Sequence, residues 1–166
     1  MYEELFEKLN SGKVRFLLLG GAAVSLHGFP RMTTDIDILL ENSRENIAHL
    51  LEVLRRWGNG CAADLVYEDF QGPGAIRVIE HFPLDIFTLV DGRGFEAFAG
   101  RAANYSLAEG IDVPCLSIDD LIAVKRRTMR EKDQLDVAEL RRLQARSQPL
   151  DGPRTIPLDL GPDQKG

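Results

Sequence analysis

A chain of 166 residues with 44% hydrophobic residues is long enough for one domain with a sizeable core and too short for two comfortable ones. The net charge of −6 and pI near 5.1 argue against broad, unspecific attachment to nucleic acid or anionic membrane, both of which want a positive field, so any polyanion has to be met locally. No apolar run approaches the roughly 18 residues needed to cross a bilayer, Met1-Tyr2-Glu3-Glu4-Leu5 is acidic where a secretion signal would be basic, and Cys61 and Cys115 lack metal-ligand spacing, so a cytoplasmic protein with reduced thiols is expected.

In chain order, Leu5, Phe6 and Leu9 have helical spacing, and the pattern predicts an opening helix over Met1–Asn10 that ends at Ser11-Gly12, with the glycine as a left-handed cap. Val14–Leu19 reads as a buried strand, Gly20-Gly21 as a turn, Ala22–His27 as a short helix stopped by Gly28 and Pro30, and Asp35–Leu40 as a second strand. Asn42 or Ser43 can cap a helix carrying Ile47, Leu50, Leu51 and Leu54, ended by Gly58-Asn59-Gly60. Leu65-Val66-Tyr67 and Ala75–Ile79 read as strands on either side of the turn-rich Gln71–Gly74, followed by Phe82–Phe87. Phe95–Ala99 suits a helical turn, and Ile111–Pro114 an edge strand, because proline cannot donate to a ladder.

Ser117 followed by Asp120 has capping-box spacing and opens a helix with the stripe Ile118, Leu121, Ile122 and Met129, interrupted by Lys125. A last helical stretch runs from Asp133 to Arg146. The domain is therefore set at residues 1–146, and the proline- and glycine-rich residues 147–166 are expected to form a flexible tail.

The chemistry is concentrated at Thr33-Thr34-Asp35-Ile36-Asp37. Side chains alternate along a strand, so Asp35 and Asp37 share one face while Ile36 and Ile38 point into a core. Asp85, alone among apolar residues in Phe82–Phe87, is their natural third partner. A paired acid taken by itself is usually the solvent face of a strand. Two strands that each set acids among apolar neighbours need compensation, and hard carboxylate oxygens suit Mg²⁺ or Mn²⁺ shared with substrate phosphates. Gly20-Gly21, between a strand and a helix start, lets a phosphate approach the backbone, although a glycine pair alone is most often only a tight turn. Lys125 either reaches phosphate or snorkels past its apolar stripe to water. Arg31 and Thr34 flank the acids, and contact with phosphate and bracing of the strand remain equal readings. Arg126, Arg127, Arg130 and Lys132 form a local basic cluster that suits a solvated face, while Asp133 and Asp136 suit ion pairs with Lys132 and Arg130. His27 fits a helix C-terminus better than catalysis, and His49 and His81 have no cluster around them.

Leu19-Gly20-Gly21-Ala22-Ala23, then Gly28, then Arg31–Asp37 resemble the glycine-turn and D-x-D signature of the polymerase-beta-like nucleotidyltransferase superfamily. Leu116–Lys125 and Arg130–Asp136 resemble the closing helices of its AbiEii-type toxin branch, and the matches together extend over most of residues 14–143. The resemblance implies an α/β (α+β) fold, a mixed sheet flanked by helices, with Mg²⁺ (or Mn²⁺) held by Asp35, Asp37 and Asp85. It also implies a nucleoside triphosphate, such as ATP, resting on Gly20-Gly21, with Arg31, Thr34 and Lys125 as further nucleotide contacts. The implied reaction transfers the nucleoside monophosphate to an acceptor hydroxyl of protein, RNA or a small molecule, in a toxin–antitoxin or resistance setting. A non-catalytic nucleotide-binding or neutralising module of the same fold is the alternative. Gly21 stands where many catalytic members carry serine, a departure that would remove one side-chain phosphate contact, although glycine occurs there in the toxin-like branch and is compatible with activity. With no second domain after Leu143, a shallow acceptor site completed by a second copy or a partner protein is expected.

Overall fold

The computed structural model describes residues 2–128, 130–146 and 155–159. Helices α1 (Tyr2–Ser11), α2 (Gly20–Leu26), α3 (Arg44–Arg55), α4 (Glu96–Ala99), α5 (Ile118–Lys125) and α6 (Glu131–Arg146) flank a six-stranded mixed sheet. The strands β1 (Phe16–Leu19), β2 (Ile36–Leu40), β3 (Ala75–Ile79), β4 (Pro83–Phe87), β5 (Ala103–Ala108) and β6 (Ile111–Cys115) lie in the order β3-β4-β2-β1-β6-β5. This is the mixed, helix-flanked sheet expected from the sequence.

The centre of the sheet is its most apolar part. Every residue of β1 is buried, as are Ile36, Ile38, Leu39 and Leu40 of β2 and Leu84 and Ile86 of β4, which anchors these strands by removing their side chains from water on both faces. β1 and β2 are antiparallel, β2 and β4 parallel, and β3 and β4 antiparallel. α2 packs on β1 and β2, and α5 packs on α6 and α2. α3 begins at Ser43, whose hydroxyl accepts the Asn46 N–H at 3.2 Å. Buried Asn46 clips the ends of two strands together, accepting the Arg15 N–H and donating to the Arg15 and Glu41 carbonyls.

Several elements differ from expectation, each for a local physical reason. The left-handed residue after α1 is Lys13 (φ 56°), whereas Gly12 is needed for space, since a Cβ there would lie 2.4 Å from a Val53 methyl. Leu65-Val66-Tyr67 is not a strand: Tyr67–Gln71 forms a 3-10 turn, drawn closed by Asp69, whose carboxylate accepts the Val66 N–H at 2.9 Å. Ile111–Pro114 belongs to β6, which is an inner strand between β1 and β5. The edge is β5, whose half-exposed alternation carries too few strongly apolar residues to announce itself. Pro114 is tolerated because β6 registers with β1 only at Cys115 opposite Leu18. Met129 lies outside the described residues, as do 147–154 and 160–166 of the expected flexible tail. Residues 155–159, in contrast, dock: Ile156 is buried, the Pro157 carbonyl accepts the Thr33 N–H, and the Asp159 N–H donates to the Thr33 carbonyl. No helix is long and apolar enough to cross a membrane among the described residues.

Candidate active site

β2 and β4 run in parallel register with Asp37 opposite Asp85, so two carboxylates from distant parts of the chain become neighbours on one face. Asp35 lies just before β2 and not on it. It is held there by the buried Thr33, whose hydroxyl donates to the Asp35 carboxylate at 3.1 Å. One oxygen from each of Asp35, Asp37 and Asp85 lies within 4.8 Å of the others, a spacing that could hold a metal ion.

The three acids are compensated unequally. Arg77 sits opposite Asp85 in the β3–β4 register, and its guanidinium donates to both Asp85 oxygens, Nε to Oδ1 at 2.7 Å and Nη2 to Oδ2 at 2.6 Å. The same Nη2 lies 3.7 Å from Asp35. Asp37 has no ion-pair partner among the described residues. Burial, then the charges of Asp35 and Asp85, push its pKa up to about 7, against a smaller opposing pull from Lys125 and Lys132. Arg77 thus compensates Asp85 and, at longer range, Asp35, while no ion pair reaches Asp37 among the described residues, and the converging hard oxygens suit a divalent cation.

The glycine turn meets these acids directly. Gly20 has φ 69° and starts α2, and a Cβ on it would fall 1.9 Å from an Asp37 carboxylate oxygen. Any side chain at this position therefore displaces the Asp37 carboxylate. At Gly21 a Cβ would lie 2.9 Å from the Thr33 hydroxyl and 3.1 Å from the Arg31 guanidinium, so the absent serine leaves little empty room.

Lys125 is buried and does not snorkel. Its ammonium lies 2.8 Å from both Asp133 and Asp136 of α6. Asp133 also accepts from Thr128 and Arg130, and Asp136 pairs with Arg31, so the partner expected from Lys132 is supplied by Arg31 and Lys125 instead. Burial alone would raise the Asp133 pKa, but hydrogen bonds from Lys125 and Thr128 and the charges of Lys125 and Arg130 lower it to about 2. The second Asp136 oxygen is buried without a hydrogen-bond partner.

Of the residues singled out in sequence, Asp35, Asp37, Asp85, Gly20, Gly21, Arg31 and Lys125 line one cavity of about 170 Å³. Thr34 is exposed and is not among its lining residues, whereas Thr33 is. Arg77, Lys132 and Asp133 also line it, and Arg77 was missed because its partner becomes visible only in the β3–β4 register. A second cavity, of about 270 Å³, shares Gly20, Asp37 and Lys125 with the first and adds apolar walls from Leu19, Leu121 and Val124. His27 caps α2 and lies outside both cavities; its ring bonds the Leu116 carbonyl at 2.8 Å and the Tyr105 hydroxyl at 2.7 Å.

The lincomycin-bound crystal structure of the lincosamide antibiotic adenylyltransferase LnuA superposes with a TM-score of 0.48 at 17% identity, covering 81% of this chain and 90% of that one. A search of the curated proteins found no match. The profile described as "Nucleotidyl transferase AbiEii toxin, Type IV TA system" matches residues 5–150, a span that contains the glycine turn, the three clustered acids and the Lys125 pairings. The chain belongs to the AbiEii nucleotidyltransferase toxin family.

Proposed function

We propose that the protein is a metal-dependent nucleotidyltransferase that moves a nucleoside monophosphate from a nucleoside triphosphate to an acceptor hydroxyl. The observation that carries this reading is the convergence of Asp35, Asp37 and Asp85 against Gly20, with Asp37 left without an ion pair among the described residues. These residues would hold Mg²⁺ or Mn²⁺, which supplies charge stabilisation at the transferring phosphorus and lowers the pKa of an attacking hydroxyl.

The chain's own contribution is positioning. The glycine turn lets Asp37 and Arg31 pack directly against the backbone at the cavity wall where the phosphates would lie. Arg31 and Lys132 bring positive charge to the same cavity, and Lys125, tied to α6 by two aspartates, fixes one wall. Thr34, being exposed, contacts a nucleotide only from the rim. The adjoining apolar cavity beside Leu19 and Leu121 accommodates a flat, poorly hydrated group such as the base. In the transfer, an acceptor oxygen forms a bond to the α-phosphorus, the bridge to the β-phosphorus breaks, pyrophosphate leaves, and the acceptor proton passes to a carboxylate or to water. Both Asp85 oxygens accept a hydrogen bond from Arg77, which weakens Asp85 as a base and as a cation ligand for as long as Arg77 stays.

The acceptor in this reading is a protein, RNA or small-molecule hydroxyl, and the setting a toxin–antitoxin system with a neutralising partner, a setting that membership of the AbiEii family supports. A second copy or that partner would finish the acceptor pocket. The protein acts in the cytoplasm, where its triphosphate substrate is made. Transfer of label from α-labelled nucleoside triphosphates to lysate components, dependent on Mg²⁺ or Mn²⁺ and lost in an Asp35→Asn, Asp37→Asn double variant, tests the reading. The second reading, a nucleotide-binding module without catalysis, is favoured by the way Arg77 already neutralises Asp85; triphosphate binding without transfer to any component would select it.

A further inference from the structure

Arg77 is an accessible ion paired with a buried one. Asp85 is buried in the central part of the sheet, and only 11% of its side chain is accessible, whereas 53% of the Arg77 side chain is accessible, on the edge strand β3. The guanidinium closes the open side of the acid cluster, reaching Asp85 with two hydrogen bonds and Asp35 at 3.7 Å, and leaves Asp37 untouched. It therefore holds two of the three carboxylates that a divalent ion would need. A divalent cation among these oxygens and a guanidinium on the same oxygens repel each other at close range, so each weakens the hold of the other. The planar fork of an arginine also matches phosphate as well as carboxylate, and the exposed stem gives it freedom to exchange one for the other.

Resting on the nucleotidyl-transfer reading above, we propose that Arg77 is an exchangeable counter-ion. It occupies Asp35 and Asp85 in the metal-free protein, competes with the divalent cation for them, and, once displaced, turns its guanidinium to the triphosphate. Metal and nucleotide binding are thereby coupled through one side chain. The site resists cations alone and accepts them more readily when a triphosphate is present to receive the arginine.

The test is Mn²⁺ binding to the full chain, followed by the loss of the free-ion electron paramagnetic resonance signal, in native protein, Arg77→Gln and Arg77→Lys, with melting curves confirming that each is folded. Arg77→Gln is expected to bind Mn²⁺ tighter than native without nucleotide, on the order of tenfold, and to bind triphosphate more weakly at saturating Mn²⁺. Arg77→Lys, which keeps the charge but not the fork, should fall between native and Arg77→Gln, and it decides the question if the glutamine variant does not fold. Mn²⁺ affinity in the variants equal to or below native, with binding still lost in Asp37→Asn, would overturn the role of Arg77 while leaving the metal site standing. No Mn²⁺ binding by any form, with or without triphosphate, would overturn the metal reading and this proposal with it. Unchanged triphosphate affinity would remove the phosphate half of the role.

Discussion

At the scale of single residues, the site depends on one missing side chain and one acid without a counter-ion. Gly20 combines a left-handed backbone with a space already filled by Asp37. Gly20→Ala adds roughly 1–2 kcal/mol of backbone strain and pushes the carboxylate aside, so transfer activity should fall by roughly a hundredfold or more, with a smaller drop in melting temperature, measured by labelled transfer and thermal melting. Asp37 makes a prediction about pH. Its pKa rises on folding from 3.8 to about 7, so the folded chain holds a proton that the unfolded chain gives up. The group has no effect on stability below about pH 4, opposes folding increasingly between pH 4 and 7, and by pH 8 costs up to about 4 kcal/mol in the metal-free protein. Metal-free Asp37→Asn should therefore melt above the native protein at pH 8 and level with it at pH 4. Mg²⁺ should raise the native melting temperature at pH 8 far more than at pH 5. A native-minus-variant difference that does not change across this range would contradict the burial argument.

At the scale of elements, the α5–α6 hairpin is held by buried charges. Lys125 serves Asp133 and Asp136 together, and removing it leaves two buried carboxylates supported only by Arg31, Arg130 and Thr128. Lys125→Met should destabilise the protein by about 3 kcal/mol or more in denaturant titrations, most of it the cost of leaving charges unpaired. The Asp133 contribution has the ordinary acid sign. Its folded pKa lies below the unfolded value, so the stabilisation is complete above about pH 4 and lost as pH falls towards 2. A second element-level device is the segment 155–159, which bonds both backbone groups of Thr33 while Thr33 orients Asp35. A chain ending at residue 154 loses the buried Ile156 side chain and both of those bonds. Its melting temperature should drop by several degrees, reflecting about 2–3 kcal/mol, and its Mn²⁺ affinity should weaken as the Asp35 loop loosens. Full Mn²⁺ affinity in the shortened chain would separate the segment from the site.

At the scale of the whole molecule, the site is assembled from β2, β4, the β1–α2 turn and the α5–α6 hairpin, all sharing one continuous core. Ligand binding should therefore stabilise the fold as a unit. With Mg²⁺ and a triphosphate at a hundred times its Kd, a single unfolding transition should move up by about 2.7 kcal/mol, and two separate transitions in urea or heat would contradict a common core.

How much of this was legible in sequence depends on the range of the physics involved. The D-x-D pair, the strand around it, the glycine turn and the Ser43 and Ser117 helix starts follow from alternation, sterics and capping within a few residues, and those rules act in any surroundings. β5 was missed because Asn104 and Ser106 dilute its pattern, and the 3-10 turn at Tyr67 because one Asp69 hydrogen bond outweighed a β-branched neighbour. Asp85 was legible as the third acid from its apolar neighbours, but only the tertiary structure decided its register opposite Asp37, that Arg77 closes the cluster from the edge strand, and that Arg31, 105 residues away in the chain, shares Asp136 with Lys125. The reason is that a buried charge takes its partner from whatever the fold brings within hydrogen-bond reach, and strand order and register, which set that reach, are properties of the assembled sheet and not of any segment in it.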